Sequence, residues 1–185
     1  MGVSCYELEF KDIKKKVLDS INELYFKDYY IIDNDVNERS ITHKLAIYLQ
    51  NQFTDYDVDC EYNRNMKNPK KITFIERNTR NRVFPDIIVH KRGEISNNLI
   101  IFEIKKYKDG NANDKYLETK KHDIEKLKGY VNNNDEESLN YKYGFFLEIH
   151  KKFFNIEIYF SDTDKKHVIE TRWKDVYFKT PENQI

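Results

Sequence analysis

The run Asn98-Leu99-Ile100-Ile101-Phe102-Glu103-Ile104-Lys105-Lys106 constrains the fold more than any other stretch, because it reads as a strand that is apolar on both faces yet carries an acid and lysines at one end. Side chains two apart share a strand face, so Glu103 and Lys105 point one way with Leu99 and Ile101, and Ile100, Phe102 and Ile104 point the other. Such a strand belongs inside a sheet rather than at its rim. The preceding Val83-Phe84-Pro85-Asp86-Ile87-Ile88-Val89-His90 is a second strand, and Lys91-Arg92-Gly93-Glu94 has the composition of the turn that joins the two into a hairpin.

An ionised carboxylate removed from water costs several kcal/mol unless it is paired or bound to a metal. Asp86 and Glu103 stand near the ends of apolar runs, where a divalent cation between them would cancel their repulsion. Lys105 adds a fixed positive charge where an anionic substrate could sit. Mg²⁺ keeps several waters among its oxygen ligands, so this combination suits phosphodiester hydrolysis, with Lys105 orienting a water or stabilising the transition state.

Around this hairpin the chain alternates helices and strands. Ile13, Val17, Ile21 and Leu24 recur at helical spacing within 5–27, and Ile41, Leu45 and Leu49 do so in a second helix that Asn34 or Asp35 can cap and that runs to about Phe53. Val58–Tyr62 and Ile72–Ile75 are short strand candidates. A polar loop around Gly110 leads to a helix over 114–131 with Leu117, Ile124, Leu127 and Val131 inward. Tyr143–Ile149 and Ile156–Phe160 are closing strands, and Val168–Phe178 adds a last strand or short helix. Helices before and after a central group of strands predict an α/β fold, a three-layer αβα sandwich with a central mixed sheet. The 185 residues fit one domain, with a core at about 34–160 and the helix over 5–27 packed on it.

Glu38 falls in the middle of the stripe formed by Ile41, Leu45 and Leu49, one turn in from the expected helix start. It reads either as a first-turn acid favoured by the helix dipole, or as a third ligand brought in because its helix packs on the sheet face that carries Asp86 and Glu103.

Glu38 on an early helix, then Pro85-Asp86, then Glu103-Ile104-Lys105 at a strand end, then a helix and another strand, together resemble the PD-(D/E)xK nuclease superfamily, over roughly residues 34–150. The resemblance implies a restriction-endonuclease-like fold and a Mg²⁺-dependent phosphodiesterase, with Mn²⁺ able to substitute. It implies that Asp86 and Glu103 bind metal, Ile104 offers it a backbone carbonyl, Glu38 supplements the site and Lys105 assists the water. The superfamily includes restriction enzymes, repair nucleases, junction resolvases and phage or defence proteins. DNA is the expected partner, and a homodimer or a separate specificity subunit is compatible with it. The alternative is a nucleic-acid- or protein-binding module that keeps the fold without turnover.

Lys and Arg number 32 against 32 Asp and Glu, so the net charge is zero and any grip on a polyanion must be local. Lys106 and Lys108 are candidate contacts, with Tyr107, Tyr116, Lys120, Lys121, Lys126 and Lys128 nearby. His90, on the face of Asp86 and Ile88, could approach substrate or serve as a structural histidine. Glu61 could neighbour the site or be a solvated strand charge. The five histidines lack zinc-ligand spacing, Cys5 and Cys60 make no disulfide framework, and the five glycines form no nucleotide-binding pattern. Without an export signal or a long apolar run, the expected compartment is the cytoplasm, with no membrane partner.

Overall fold

The computed structural model describes residues 9–34, 36–74, 79–107, 114–132, 139–162 and 167–173. Three helices come first: α1 (Phe10–Lys27), the short α2 (Tyr29–Asp33) and α3 (Glu38–Gln52). Five short strands follow, β1 (Asp57–Cys60), β2 (Arg64–Asn65), β3 (Asn68–Pro69), β4 (Lys71–Phe74) and β5 (Thr79–Arg82). Then come β6 (Ile87–His90), β7 (Ile100–Lys106), α4 (Asp114–Val131), β8 (Tyr143–Ile149), β9 (Phe154–Asp162) and β10 (His167–Trp173).

The main sheet runs β1-β6-β7-β8-β9-β10, and β7 lies inside it, as its two apolar faces require. β6 and β7 form the expected antiparallel hairpin, closed at the Lys91–Glu94 bridge with Gly93 at φ +81°. β7 and β8 are parallel, with Glu103 opposite Phe146 and Lys105 opposite Glu148, and α4 is the crossover that a parallel pair needs. The remaining neighbours in this sheet pair antiparallel, so the sheet is mixed.

Strand alternation sorts the core into two clusters. Ile87, Val89, Ile100, Phe102 and Ile104 pack with Ile13, Val17, Ile21 and Leu24 of α1 and with Ile41, Leu45 and Leu49 of α3. Ile88, Ile101 and Phe146 pack instead with Leu127, Tyr130 and Val131 of α4. Asp86, Glu103 and Lys105 share the parity of the second set. α3 therefore lies on the sheet face opposite to them, against the expectation that it would pack over Asp86 and Glu103.

Several boundaries differ from the sequence reading. The cap of α3 is Asn37, whose Oδ1 accepts from Arg39 N–H, so Glu38 is the first helical residue rather than one a turn further in. β4 pairs with β5 in a separate small sheet, and β2 with β3 in another. Asp114–Val131 is helical as expected, but Leu117 is 55% exposed while Leu127 and Val131 are fully buried. The inward line of α4 runs instead through Tyr116, Lys120, Asp123, Leu127 and Tyr130. β10 realises the last strand to Trp173; Cys5, Asp35, Ile75, Lys108, the loop around Gly110 and residues 174–178 lie outside the described residues. No helix among the described residues is long and apolar enough to cross a membrane.

This division of α4 predicts a contrast in urea unfolding. Leu127→Ala should cost about 2–5 kcal/mol through the cavity it leaves, whereas Leu117→Ala should stay within about 0.5 kcal/mol. Equal losses at the two positions would contradict the orientation of this helix.

Candidate active site at the ends of β6 and β7

Alternate backbone groups of a strand face the same neighbour, so Ile100, Phe102, Ile104 and Lys106 direct theirs toward β6. The β6–β7 register ends at Ile87 opposite Phe102, while β7 continues beside β8 to Lys106. Beyond that point β7 has no strand on its β6 side among the described residues, and carboxylates accept its N–H groups instead. Asp86 donates its N–H to the Phe102 carbonyl and accepts the Ile104 N–H on Oδ2 at 2.7 Å. The next N–H on that edge, from Lys106, is accepted by Glu38 Oε2 at 2.7 Å. Ile104 directs its carbonyl to the same edge, between these two acids.

Glu38 thus reaches the strand end although α3 packs on the opposite face, because it stands at the helix N-terminus where the chain passes the end of the sheet. Glu38 is a first-turn acid, and although α3 does not pack over Asp86 and Glu103 as the other reading expected, its charge still acts on Asp86 and Lys105.

Glu103 points under α4 and is 2% exposed. It accepts from Lys126 Nζ at 2.6 Å and from Tyr130 Oη at 3.2 Å. Lys105 donates to Asp123 Oδ2 at 2.8 Å, and Lys126 also pairs with Asp123 at 3.0 Å. Four carboxylates, Glu38, Asp86, Glu103 and Asp123, therefore share this corner with two ammonium groups, Lys105 and Lys126. With all four ionised, two negative charges would be left uncompensated.

The ionisation of these groups follows. Burial pushes Asp86 up to about 6, only partly opposed by the Ile104 N–H and by Lys126, while Glu38 and Asp123 push the same way as burial. Burial also raises Glu103 well above the usual carboxylate range, with Lys126 pulling back and Asp86 and Asp123 adding to the rise. Lys126 is lowered by burial but held above its ordinary value on balance by Glu103 and Asp123. Lys105 is likewise raised despite burial, through Asp123, Glu38 and Asp86.

Asp123 and Lys126 are neighbours of this cluster that the sequence pattern missed or placed elsewhere. Lys126 is one of the lysines that the sequence places near the candidate nucleic-acid contacts, and it is turned inward to Glu103. Asp123 lies four residues before Leu127 and seven before Tyr130, so a charge on the buried line of α4 was the available signal. It is the same kind of anomaly that singles out Glu38.

Other candidate contacts sit differently. Lys106 Nζ donates to the carbonyls of Ile31, Asn34 and Val36, holding the α2–α3 connection to the strand end. Lys120 pairs with Glu148 and Glu157, and Lys128 lies over the Tyr159 ring at 5.5 Å. His90 is 4% exposed, bonded to Asp59 at 2.9 Å and packed on Tyr62. Four residues along β6 separate it from Asp86, roughly 13 Å in a strand, so it is a structural histidine at the far end of the strand. Glu61 donates its N–H to the Asp86 carbonyl, but its carboxylate pairs with Arg39.

Among the described residues, no three carboxylate, histidine or cysteine side chains are arranged to hold a metal ion as they stand. The bonding explains this, since Lys126 lies on Glu103 while Ile104 and Lys106 N–H groups hold one oxygen each of Asp86 and Glu38. The donor set nevertheless suits a divalent cation: hard oxygen ligands, four carboxyls against two ammonium groups, and Asp86 and Glu103 raised by burial and by mutual repulsion. No family model, no curated protein and no solved structure matches this chain.

The raised Asp86 carboxyl gives a pH-dependent prediction for the metal-free protein. Its folded value of about 6 exceeds the ordinary 3.8, so the folded state binds more protons between the two. Asp86 favours folding fully below the lower value, and this contribution is lost as pH rises through the upper one. Asn at this position keeps an acceptor for Ile104 N–H without the charge. In chelator at about pH 7.5, Asp86→Asn should therefore raise stability by about 2–3 kcal/mol, and the gain should vanish below about pH 4. Thermal unfolding across pH checks this, and a destabilised variant at neutral pH would contradict it.

Proposed function

We propose that this protein is a metal-dependent nuclease of the PD-(D/E)xK type that hydrolyses phosphodiester bonds of DNA. The observation that carries the reading is the gathering of Asp86, Glu103 and Glu38, with Asp123, at the divergence of β6 and β7, four carboxyls against the two ammonium groups of Lys105 and Lys126. The order of elements supports it too. An early helix, the β1-β6-β7 antiparallel strands, the α4 crossover and parallel β8 agree with a restriction-endonuclease-like three-layer sandwich, with α1 and α3 against one face and α4 against the other.

Asp86, Glu103 and Glu38, with the Ile104 carbonyl, would hold Mg²⁺ or Mn²⁺. When bound, the metal supplies an activated water and a polarised phosphate. The residues of the chain do the rest. Asp86 is fixed by its bond to Ile104 N–H, so its remaining oxygen is held at a defined place on the strand edge. Asp123 orients the Lys105 ammonium, which lies half-buried beside the carboxylates and can stabilise charge on a phosphate oxygen. Lys126 would have to leave Glu103 for that carboxylate to hold the metal, and its ammonium would then be free for the phosphate.

A second reading has one observation in its favour. The Glu103–Lys126 pair already neutralises the acid, as in a binding module that retains the fold without turnover. Cleavage assays separate the two. Purified protein should cut DNA in Mg²⁺ or Mn²⁺, and Asp86→Asn and Lys105→Ala should each lower the rate by about a hundredfold or more. Absence of cleavage of single-stranded, duplex and branched DNA, with metal-independent binding intact, would select the module instead.

A further inference from the structure

A cleft of about 500 Å³ lies beside the site, lined by Phe74, Asn81, Arg82, Val83, Phe84, His122 and Lys126. Its composition is unusual for a chain with equal numbers of acids and bases. Among the described residues its charged side chains, Arg82 and Lys126, are both cationic and no carboxylate lines it. Arg82 is exposed and makes no ion pair among the described residues. Lys126 connects the cleft to Glu103.

The walls between these cations are aromatic. Phe84 stands two residues before Asp86 and is 53% exposed, the kind of apolar surface that calls for an explanation when it adjoins a charged site. His122 stacks on Phe74 with centroids 5.2 Å apart and planes within 8°. Its buried Nδ1 has no hydrogen-bond partner among the described residues, so stacking rather than hydrogen bonding at that nitrogen holds the ring.

We propose that this cleft binds an unpaired nucleotide of a single DNA strand next to the Asp86 site, with its base on Phe84 and its phosphate on Arg82. The inference rests on the reading of that site as one that acts on nucleic acid, and it adds the substrate class. Aromatic rings hold single strands because every base presents a flat face, whereas in a duplex those faces are already covered by neighbouring bases. Arg82, with Lys126 at the inner end of the cleft on Glu103, supplies positive charge for the backbone, and the room is sufficient for one base with its sugar and phosphate. A local grip of this kind also explains how a chain of zero net charge would hold a polyanion.

The test is fluorescence anisotropy with a labelled twelve-residue oligothymidylate, and with a duplex of the same length, in EDTA so that no cleavage occurs. The native protein should bind the single strand more tightly than the duplex. Phe84→Ala and Arg82→Ala should each weaken single-strand binding by about tenfold with unchanged circular dichroism. Lys11→Ala, on the exposed side of α1 across the sheet, should leave it unchanged. No binding of the single strand, or an unaltered Phe84→Ala variant, overturns the proposal. Loss in Arg82→Ala alone would indicate charge attraction without a base site and overturns it as well. Because metal is absent, these outcomes do not depend on cleavage. Metal-dependent cleavage that persists in a Phe84→Ala variant of unaltered affinity would leave the nuclease reading standing and remove only the cleft.

Discussion

The structure turns on where β6 leaves β7. Pairing stops at Ile87 opposite Phe102, and the two N–H groups then exposed on the β7 edge, those of Ile104 and Lys106, are accepted by Asp86 and Glu38. A buried backbone donor without a partner costs about as much as a lost hydrogen bond. Meeting these donors with carboxylates satisfies the backbone and at the same time gathers negative charge at one strand end. The same residues that complete the sheet therefore make it unfit to stay neutral, which is the condition for binding a cation or a cationic side chain.

α4 answers that charge from the other side. Its Lys126 and Tyr130 bind Glu103, its Asp123 holds Lys105, and further along Lys120 pairs with Glu148 and Glu157. The helix is thus apolar toward the sheet near its C-terminal end, at Leu127 and Val131, and polar where it crosses the strand ends. Burial of so many charges stabilises little by itself, since desolvation offsets most of the Coulomb attraction. Its result is placement: the two ammonium groups are held within a side chain's length of the carboxylates they would have to leave.

How much of this was readable in the sequence differs residue by residue. Strand parity put Glu103 and Lys105 on one face, and the doubly apolar Leu99–Ile104 run put their strand inside the sheet, because both depend only on the two-residue period and on burial. Glu38 stood out because an acid interrupted an apolar stripe. The face on which α3 packs was not readable, since that depends on how the chain turns between α3 and β1 rather than on the pattern within either. Leu117 misled because apolar spacing was extended along α4 past the point where the surface beneath it becomes acidic. The same change hid Lys126, whose inward position is set by Glu103 on a distant strand, and Asp123, for which a charge on the buried line of α4 was the available signal. His90 shared a strand face with Asp86, but parity carries no information about which end of a strand a residue occupies.

The claim that Asp86 and Glu103 form a divalent-cation site under α4 is tested most directly by a crystal structure after a Mn²⁺ soak, with anomalous scattering collected for manganese. One anomalous peak is expected between the Asp86 and Glu103 carboxylates, within reach of Glu38 and the Ile104 carbonyl, with Lys126 moved off Glu103. Glu103 still paired with Lys126 and no manganese at Asp86, at a concentration that saturates other carboxylates on the surface, would contradict it.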